Sequence, residues 1–383
     1  MARYNKRNDK WQVIIELGRD ERTNKRLRHT KDGFKTKKEA IAYATIKENE
    51  LLNGLVPNNN KILLKDFITE WYEKHITKTM SINTISNYKS RIETHIIPYL
   101  GNMQLNKIKV TDVQSFYYYL IDNGLKPSTA KKVIETLTRC FKYALKMRLV
   151  SFIPCDIEYF KDDSENKIKA WNEDELSYFL NEIKDTYLYL PVLVASLTGL
   201  RIGELCGLRW ENVDLDNNRL YIKEQVLNDK ISKKLILTDI LKTSKSNRVI
   251  TIPDFLKNIL QDHKPDYMIN KVNDFVILSR NNTMCNPRNL SMDFTKNVAK
   301  YTKPIEELTN APINYKQLLK LSFHDLRHTH ATILLKHGEN VKVISERLGH
   351  TSIKITLDTY SHVLPSMEEH TALLLNNIFK DKL

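Results

Sequence analysis

The chain has 383 residues, 41% of them hydrophobic, which suits two or three packed domains and excludes wholesale disorder. Sixty Lys and Arg against 46 Asp and Glu leave a net charge of +14 and a pI near 9.3, which favours a polyanionic partner. Cys140, Cys155, Cys206 and Cys285 are scattered without a CxxC pair, which argues against a zinc ribbon or a disulfide framework and for reduced thiols in the cytosol.

Met1-Ala-Arg-Tyr-Asn-Lys-Arg7 has no apolar stretch and does not read as a signal peptide. Residues 1–55 read as a small α+β unit. Trp11–Leu17 is expected as a strand, Asp20–Asn24 as a turn, Lys25–Thr30 as a second strand and Lys31–Gly33 as a second turn. Thr36 and Glu39 form a capping-box pattern that opens a helix to about Leu52, with Asn53-Gly54 as its stop. Arg19, Arg22, Lys25, Arg26 and Arg28 crowd this hairpin, and a basic β-ribbon is one way to enter a DNA groove. The plainer reading is a solvated basic face. Val56–Asn60 is a linker by composition.

Residues 62–153 read as all helix. Leu64, Phe67, Ile68 and Trp71 recur at helical spacing. A second helix, capped by Ser81 or Asn83, carries Ile85, Tyr88 and Ile92 and is expected to stop before Pro98. Thr111 with Gln114 suggests a capping box for a third, which runs through Phe116 and Leu120 to Gly124. Pro127-Ser128 opens a fourth, with Val133, Leu137, Phe141 and Leu145 inward. Such a bundle, with basic residues between apolar ones, suits a surface laid on DNA. Tyr117, Tyr118 and Tyr119 read as core and rim rather than as a platform for stacked bases.

The acidic, Pro-punctuated stretch 154–168 is expected to be a second linker. Beyond it the chain reads as mainly helical with a small β-sheet. A helix follows Asn172, and Tyr187–Leu200, too short for a membrane span and interrupted by Pro191, reads as a buried helix. Arg219–Val226 and Ser246–Ile252 read as strands. At the C-terminus, Ser366–Phe379 is expected as an amphipathic helix with Met367, Leu373, Leu374, Leu375, Ile378 and Phe379 on its apolar face.

Several polar residues in this last region share one chemistry. Arg201 follows Gly199, a break that permits close approach to a substrate, and Glu204 lies one helical turn on, where it can orient the guanidinium. His324 and Arg327 are three apart and share a helix face. His350 follows Gly349, and Tyr360 stands ten residues later. Lys242 lies in the basic loop Leu241–Arg248, ahead of a strand. Guanidinium forks and imidazoles suit the charge that builds on a phosphodiester under attack, and a tyrosine supplies a covalent nucleophile. Taken one at a time, a glycine-flanked arginine or histidine or a loop lysine is more often structural. His324, His328 and His330 have ligand-like types, but His328 and His330 point to different helix faces and no second ligand cluster completes a metal site. His330 and His362 are expected to be structural.

The boxes Thr198–Leu205, His324–Thr332, Leu348–His350 and Leu357–Val363 resemble, in order and spacing, those of the tyrosine recombinases or phage-type integrases. The likeness is greatest to integrases of Gram-positive phages and integrative elements. It implies three domains: arm-type DNA binding at 1–55, a core-binding helical domain at 62–153 and a catalytic domain at 169–383. It further implies Tyr360 as nucleophile, Arg201 and Arg327 as phosphate clamps and Lys242 as general acid, with Lys245 the lesser candidate. His324 would assist proton transfer or bind phosphate, His350 would bond the phosphate and Glu204 would support the site. No metal or nucleotide cofactor is implied. The expected partners are core- and arm-type attachment sites on double-stranded DNA, a homotetramer on that DNA, and excision or host DNA-bending factors; no membrane is expected. Ile153-Pro154-Cys155-Asp156 departs from the family's usual Asn-Pro, which touches only the linker. A Xer-like resolvase is disfavoured by the N-terminal basic unit. A type IB topoisomerase is disfavoured by the boxes and the layout, and a silent DNA-binding regulator by the complete polar set.

Overall fold

The computed structural model describes residues 2–7, 9–19, 26–52, 62–161, 168–229, 232, 234–239, 247–264, 274–304, 315–361 and 366–380. They form two compact units, Met1–Ser164 and Glu165–Leu383.

The first unit begins with a three-stranded antiparallel sheet in the order β1 (Ala2–Arg7), β2 (Lys10–Arg19), β3 (Arg26–Phe34), followed by α1 (Lys37–Leu52). Val13 and Ile15 of β2 meet Ala40 and Ala44 of α1 in a small core. The turn expected at Lys31–Gly33 is instead part of β3. The register passes from Val13↔Lys31 to Trp11↔Phe34, so β3 carries one extra residue, and Gly33 takes φ +100 to absorb the bulge. Half of the Thr36/Glu39 box is present: Glu39 N donates to Thr36 Oγ1, whereas the Glu39 carboxylate accepts from Lys35 N.

The bundle that follows has its own core. Helix α2 (Leu64–Trp71) continues through a π-helical stretch, Tyr72–Ile76, to Thr79. Helix α3 (Ile82–Arg91) continues through a second, Ile92–Ile96, into a final turn Ile97–Leu100. It therefore runs past Pro98 instead of stopping before it. The widened turn, in which Ile97 N–H reaches Ile92 O, accommodates a residue that brings a ring and no donor. Helix α4 (Val110–Asp122) starts two residues earlier than a box with Thr111 as its cap implied. Asp112 accepts from Lys109 N, and Gln114 exchanges two bonds with the Glu158 backbone. Helix α5 (Pro127–Lys146) opens on its proline and buries Val133, Leu137 and Phe141, while Leu145 is exposed. Tyr117 is buried and Tyr118 and Tyr119 form the rim. Residues 154–161 are not a free linker: Cys155 joins the core and Phe160 stacks on Tyr118.

The second unit is helix-rich with two small sheets. Helix α6 (Glu173–Glu182) opens on a full capping box between Asn172 and Glu175. Helix α7 (Tyr189–Thr198) is buried over most of its length, and the short α8 (Ile202–Cys206) follows. The expected strand Arg219–Val226 is broken at Lys223. Strand β5 (Arg219–Ile222) lies between β4 (Val213–Asp214) and β8 (Arg248–Thr251), whereas β6 (Glu224–Asn228) forms a separate hairpin with β7 (Leu235–Asp239). Then come α9 (Asp254–His263), α10 (Pro287–Val298), α11 (Asp325–Lys336), α12 (Val341–Leu348), α13 (Ile353–Tyr360) and α14 (Ser366–Phe379). Leu375, Ile378 and Phe379 of α14 are exposed; the side chains of Met367, Leu373 and Leu374 lie outside the described set. All four cysteines are buried free thiols. Among the described residues no helix is long and apolar enough to cross a membrane.

Candidate active site

Two helix ends converge on one arginine in the second unit. Both α7 and α12 stop at a glycine in the left-handed region, Gly199 at φ +68 and Gly349 at φ +64. At Gly199 a Cβ would also lie 2.7 Å from Leu348 Cδ2 and 2.8 Å from the His330 ring, so space and backbone both require glycine. The last carbonyls of a helix have no partner within it. Arg327 of α11, only 4% exposed, supplies partners to both ends: Nη1 donates to Gly199 O at 2.8 Å and Nη2 donates to Leu348 O. Burial, with Arg201 nearby, pulls this guanidinium down to about 9, so it is still charged at neutral pH.

Arg201 caps α8. Its backbone N–H donates to Glu204 Oε2 at 3.0 Å, Nη1 donates to Oε1 at 2.8 Å, and Nη2 reaches Gly349 O at 3.4 Å. Its side chain is 42% exposed, against 2% for Glu204. A second arginine closes the carboxylate from the other side: Arg248 of β8 donates to Oε1 at 3.2 Å and Oε2 at 2.7 Å, and its Nε donates to Arg347 O. Burial pushes the Glu204 carboxyl up, but the hydrogen bonds and charge of Arg248, then the charge of Arg201, outweigh it and hold the group at about 2. Glu204 thus bonds both Arg201 and Arg248. Arg248 was not singled out in the sequence; its only signal was an arginine opening a strand after a basic loop.

Tyr360, the last residue of α13, is 1% exposed. Its phenolic oxygen lies 2.8 Å from His328 Nδ1. Burial pushes the phenol up to about 12, with the Arg327 charge pulling the other way. The His324 ring meets the His328 ring edge-on at 5.2 Å between centroids. His350 Nδ1 lies 2.8 Å from Thr356 Oγ1, and burial, reinforced by Arg327 and Arg201, pulls its pKa down to about 4. His350, Arg248, Lys342 and Ser352 help line a cavity of about 390 Å³ beside this cluster. His330 is buried away from this cluster's phenol: its Nδ1 lies 2.9 Å from Ser196 O, and burial holds it near 3.

Arg201, Glu204, His324, Arg327, His350 and Tyr360 therefore belong to one neighbourhood built from α7, α8, α11, α12 and α13. Lys242 and Lys245 lie outside the described residues, between β7 and β8. So do Arg22, Lys25 and His362. In the N-terminal sheet Arg19 pairs with Arg26 across β2 and β3, Arg26 and Arg28 are exposed, and the Arg19 side chain is outside the described set.

The phage integrase family model matches residues 169–367, the N-terminal SAM-like domain of phage integrases matches 63–121, and an arm DNA-binding domain matches 1–51. The chain belongs to the phage integrase family. It is a tyrosine-type site-specific recombinase. A curated relative described as tyrosine recombinase XerC-like, from Caldanaerobacter subterraneus subsp. tengcongensis, is 27% identical over 96% of each chain. The ICEBs1 integrase of Bacillus subtilis is 26% identical over 97% of this chain and 98% of its own. Among solved structures, the Tn1549 transposon integrase in complex with transposon right end DNA matches with a TM-score of 0.67 at 21% identity, covering 81% of this integrase and 100% of that chain. That likeness supports the tyrosine recombinase fold.

Proposed function

We propose that this integrase cuts and rejoins double-stranded DNA at attachment sites, integrating and excising a mobile element, with Tyr360 as the nucleophile. The observation that carries this reading is a buried phenol in contact with an imidazole, beside two guanidinium groups fixed on helix ends. The phenolic oxygen attacks phosphorus, the bond to the 5′ oxygen breaks, and a 3′-phosphotyrosyl ester forms. Arg201 and Arg327 hold the non-bridging oxygens, and His350 donates to the same phosphate. His324 bonds phosphate or assists proton transfer, and Glu204 keeps Arg201 in place. Lys242 protonates the leaving 5′ oxygen. Religation runs the steps in reverse, and the ester conserves the bond energy, so the scheme draws on no nucleotide.

Residues 1–55, 62–153 and 169–383 serve as arm-binding, core-binding and catalytic domains in this reading, within a DNA-associated cytosolic assembly. Four protomers act together on the DNA, with DNA-bending or excision factors assisting. The exposed Leu375, Ile378 and Phe379 of α14 supply a surface for protomer exchange. Truncation after Pro365 is expected to spare binding of single core sites and weaken synapsis, read by native gel.

The test is a nicked suicide substrate that traps the covalent adduct. Wild-type protein is expected to accumulate it, and Tyr360→Phe to bind the DNA without forming it. Adduct from the Phe variant would move the nucleophile elsewhere. Lys242→Ala is expected to slow cleavage of a normal 5′ oxygen but spare a 5′-bridging phosphorothiolate, whose sulfur leaves without a proton. Equal defects on both would remove Lys242 as the acid.

A further inference from the structure

We propose that His328, through Nδ1, is the group that takes the phenolic proton of Tyr360 during cleavage and returns it during religation. This inference rests on Tyr360 being the nucleophile and adds which base serves it.

The geometry separates the three imidazoles of the cluster. His328 Nδ1 is 2.8 Å from the phenolic oxygen, a hydrogen-bond distance, and the two rings lie 5.7 Å apart between centroids. His350 directs its Nδ1 to Thr356 Oγ1. His324 meets His328 edge-on rather than the tyrosine. His328 sits one residue after Arg327 on α11, a buried segment held by the Arg327 bonds to two helix ends, so the imidazole is aimed by a fixed backbone.

The protonation states fit this assignment. A phenol pushed up to about 12 by burial keeps its proton at neutral pH and is a poor nucleophile until that proton leaves. His328 is pulled below its ordinary value by burial, then by His324 and Arg327, against the opposing charge of Asp325. In the tautomer with its ring proton on Nε2, a neutral imidazole leaves Nδ1 bare to accept from the phenol.

In the forward step the phenol O–H bond breaks as the O–P bond forms, and the proton passes to His328 Nδ1. The P–O bond to the 5′ oxygen breaks, and that oxygen takes its proton from the separate acid. On religation the 5′ hydroxyl gives its proton back to that acid as its oxygen attacks phosphorus, the P–O bond to Tyr360 breaks, and the imidazolium returns its proton to the leaving phenolic oxygen. Arg327 remains charged throughout and stabilises the negative phenolic oxygen in transit.

The experiment is single-turnover adduct formation on the nicked suicide substrate, with thermal unfolding and core-site binding measured on every variant. His328→Asn places an amide oxygen near the position of Nδ1, so it keeps an acceptor but takes no proton. His328→Ala removes both and leaves room for free imidazole. Both variants are expected to form adduct about a hundredfold or more slowly, with imidazole restoring part of the rate of the Ala variant in proportion to its concentration. Wild-type rate in either variant, or an Asn variant restored while imidazole does nothing, would overturn proton acceptance and leave His328 a positioning residue. Should His328→Ala not fold, the Asn variant decides alone. An absence of Tyr360-dependent adduct in the wild type would instead overturn the assignment of Tyr360 as nucleophile, so the two failures are distinct.

Discussion

The integrase uses arginine in two opposite ways. In the catalytic unit Arg327 and Arg248 are nearly sequestered, and each is already bonded to carbonyl or carboxylate oxygens. In the N-terminal sheet Arg26 and Arg28 stand exposed on a bulged strand beside other cations. A buried guanidinium with fixed partners defines one position for one phosphate and needs no reorganisation when charge develops there. An exposed one follows a polyanion and loses its attraction with salt. Arg201 joins the two modes. Its backbone and one nitrogen are pinned by Glu204, while the side chain remains open to a ligand.

The sharpest way to break this comparison is to replace Arg327 and Arg201 by lysine. Arg327→Lys and Arg201→Lys are both expected to slow adduct formation by about a hundredfold or more, because an ammonium cannot reproduce a planar fork. Stability should separate them. Arg327→Lys leaves at least one buried helix-end carbonyl short of a donor and is expected to cost about 1–3 kcal/mol in denaturant unfolding. Arg201→Lys, at a far more exposed position, should cost about 1 kcal/mol or less. Equal unfolding costs would remove the distinction between a buried, carbonyl-bonded arginine and an open one.

Glu204→Gln comes next. Removing one member of a buried pair leaves the other uncompensated, and Arg248 has Glu204 as its carboxylate partner. The folded Glu204 lies at about 2 against an ordinary 4.5, so its ionised form is favoured in the fold. That contribution, roughly 3 kcal/mol as an order of magnitude, is full above pH about 4.5 and fades as pH falls towards 2. Thermal unfolding from pH 7 to pH 2 should therefore show a wild-type loss that Glu204→Gln lacks, with the two curves converging in acid. A variant that tracks the wild type at every pH would show that the carboxylate is not held this way.

The polar boxes around Arg201, Arg327, His350 and Tyr360 were readable because an uncommon set of residues is concentrated near glycines that end helices. The helix faces of the first unit were readable from apolar spacing, for Leu64 to Trp71 above all. Other features depended on partners distant in sequence. Lys223 breaks a continuous β pattern because its two halves pair with different strands, β8 and β7. Gln114 resembles a cap residue until Glu158 comes within reach of it. Pro98 stops a regular helix, but not one that widens into a π turn first. Arg248 and His328 were the larger omissions. Arg248 lies outside every box and His328 lies inside one but was weighed only as a metal ligand; only tertiary contact places the first on Glu204 and the second on Tyr360.

The smallest effects are expected in the N-terminal sheet, and they sharpen the comparison most finely. Arg26→Ala and Arg28→Ala remove exposed side chains with no buried partner at stake, so unfolding should shift by about 0.5 kcal/mol or less. Adduct formation on a core site should be unchanged, since Tyr360 lies in the other unit. The arm-site affinity should fall by about tenfold or less for each. Its dependence on the logarithm of salt concentration should flatten by about one unit for each phosphate that is no longer neutralised. If the weakening is the same on every DNA sequence, these arginines touch phosphates and position the ribbon. If it is confined to one sequence, at least one of them reads a base edge in the groove, where a bidentate pair of hydrogen bonds discriminates by about 1–3 kcal/mol. Unchanged affinity and an unchanged salt slope in the double variant would mean that this basic face is only solvated and that the arm site is bound elsewhere.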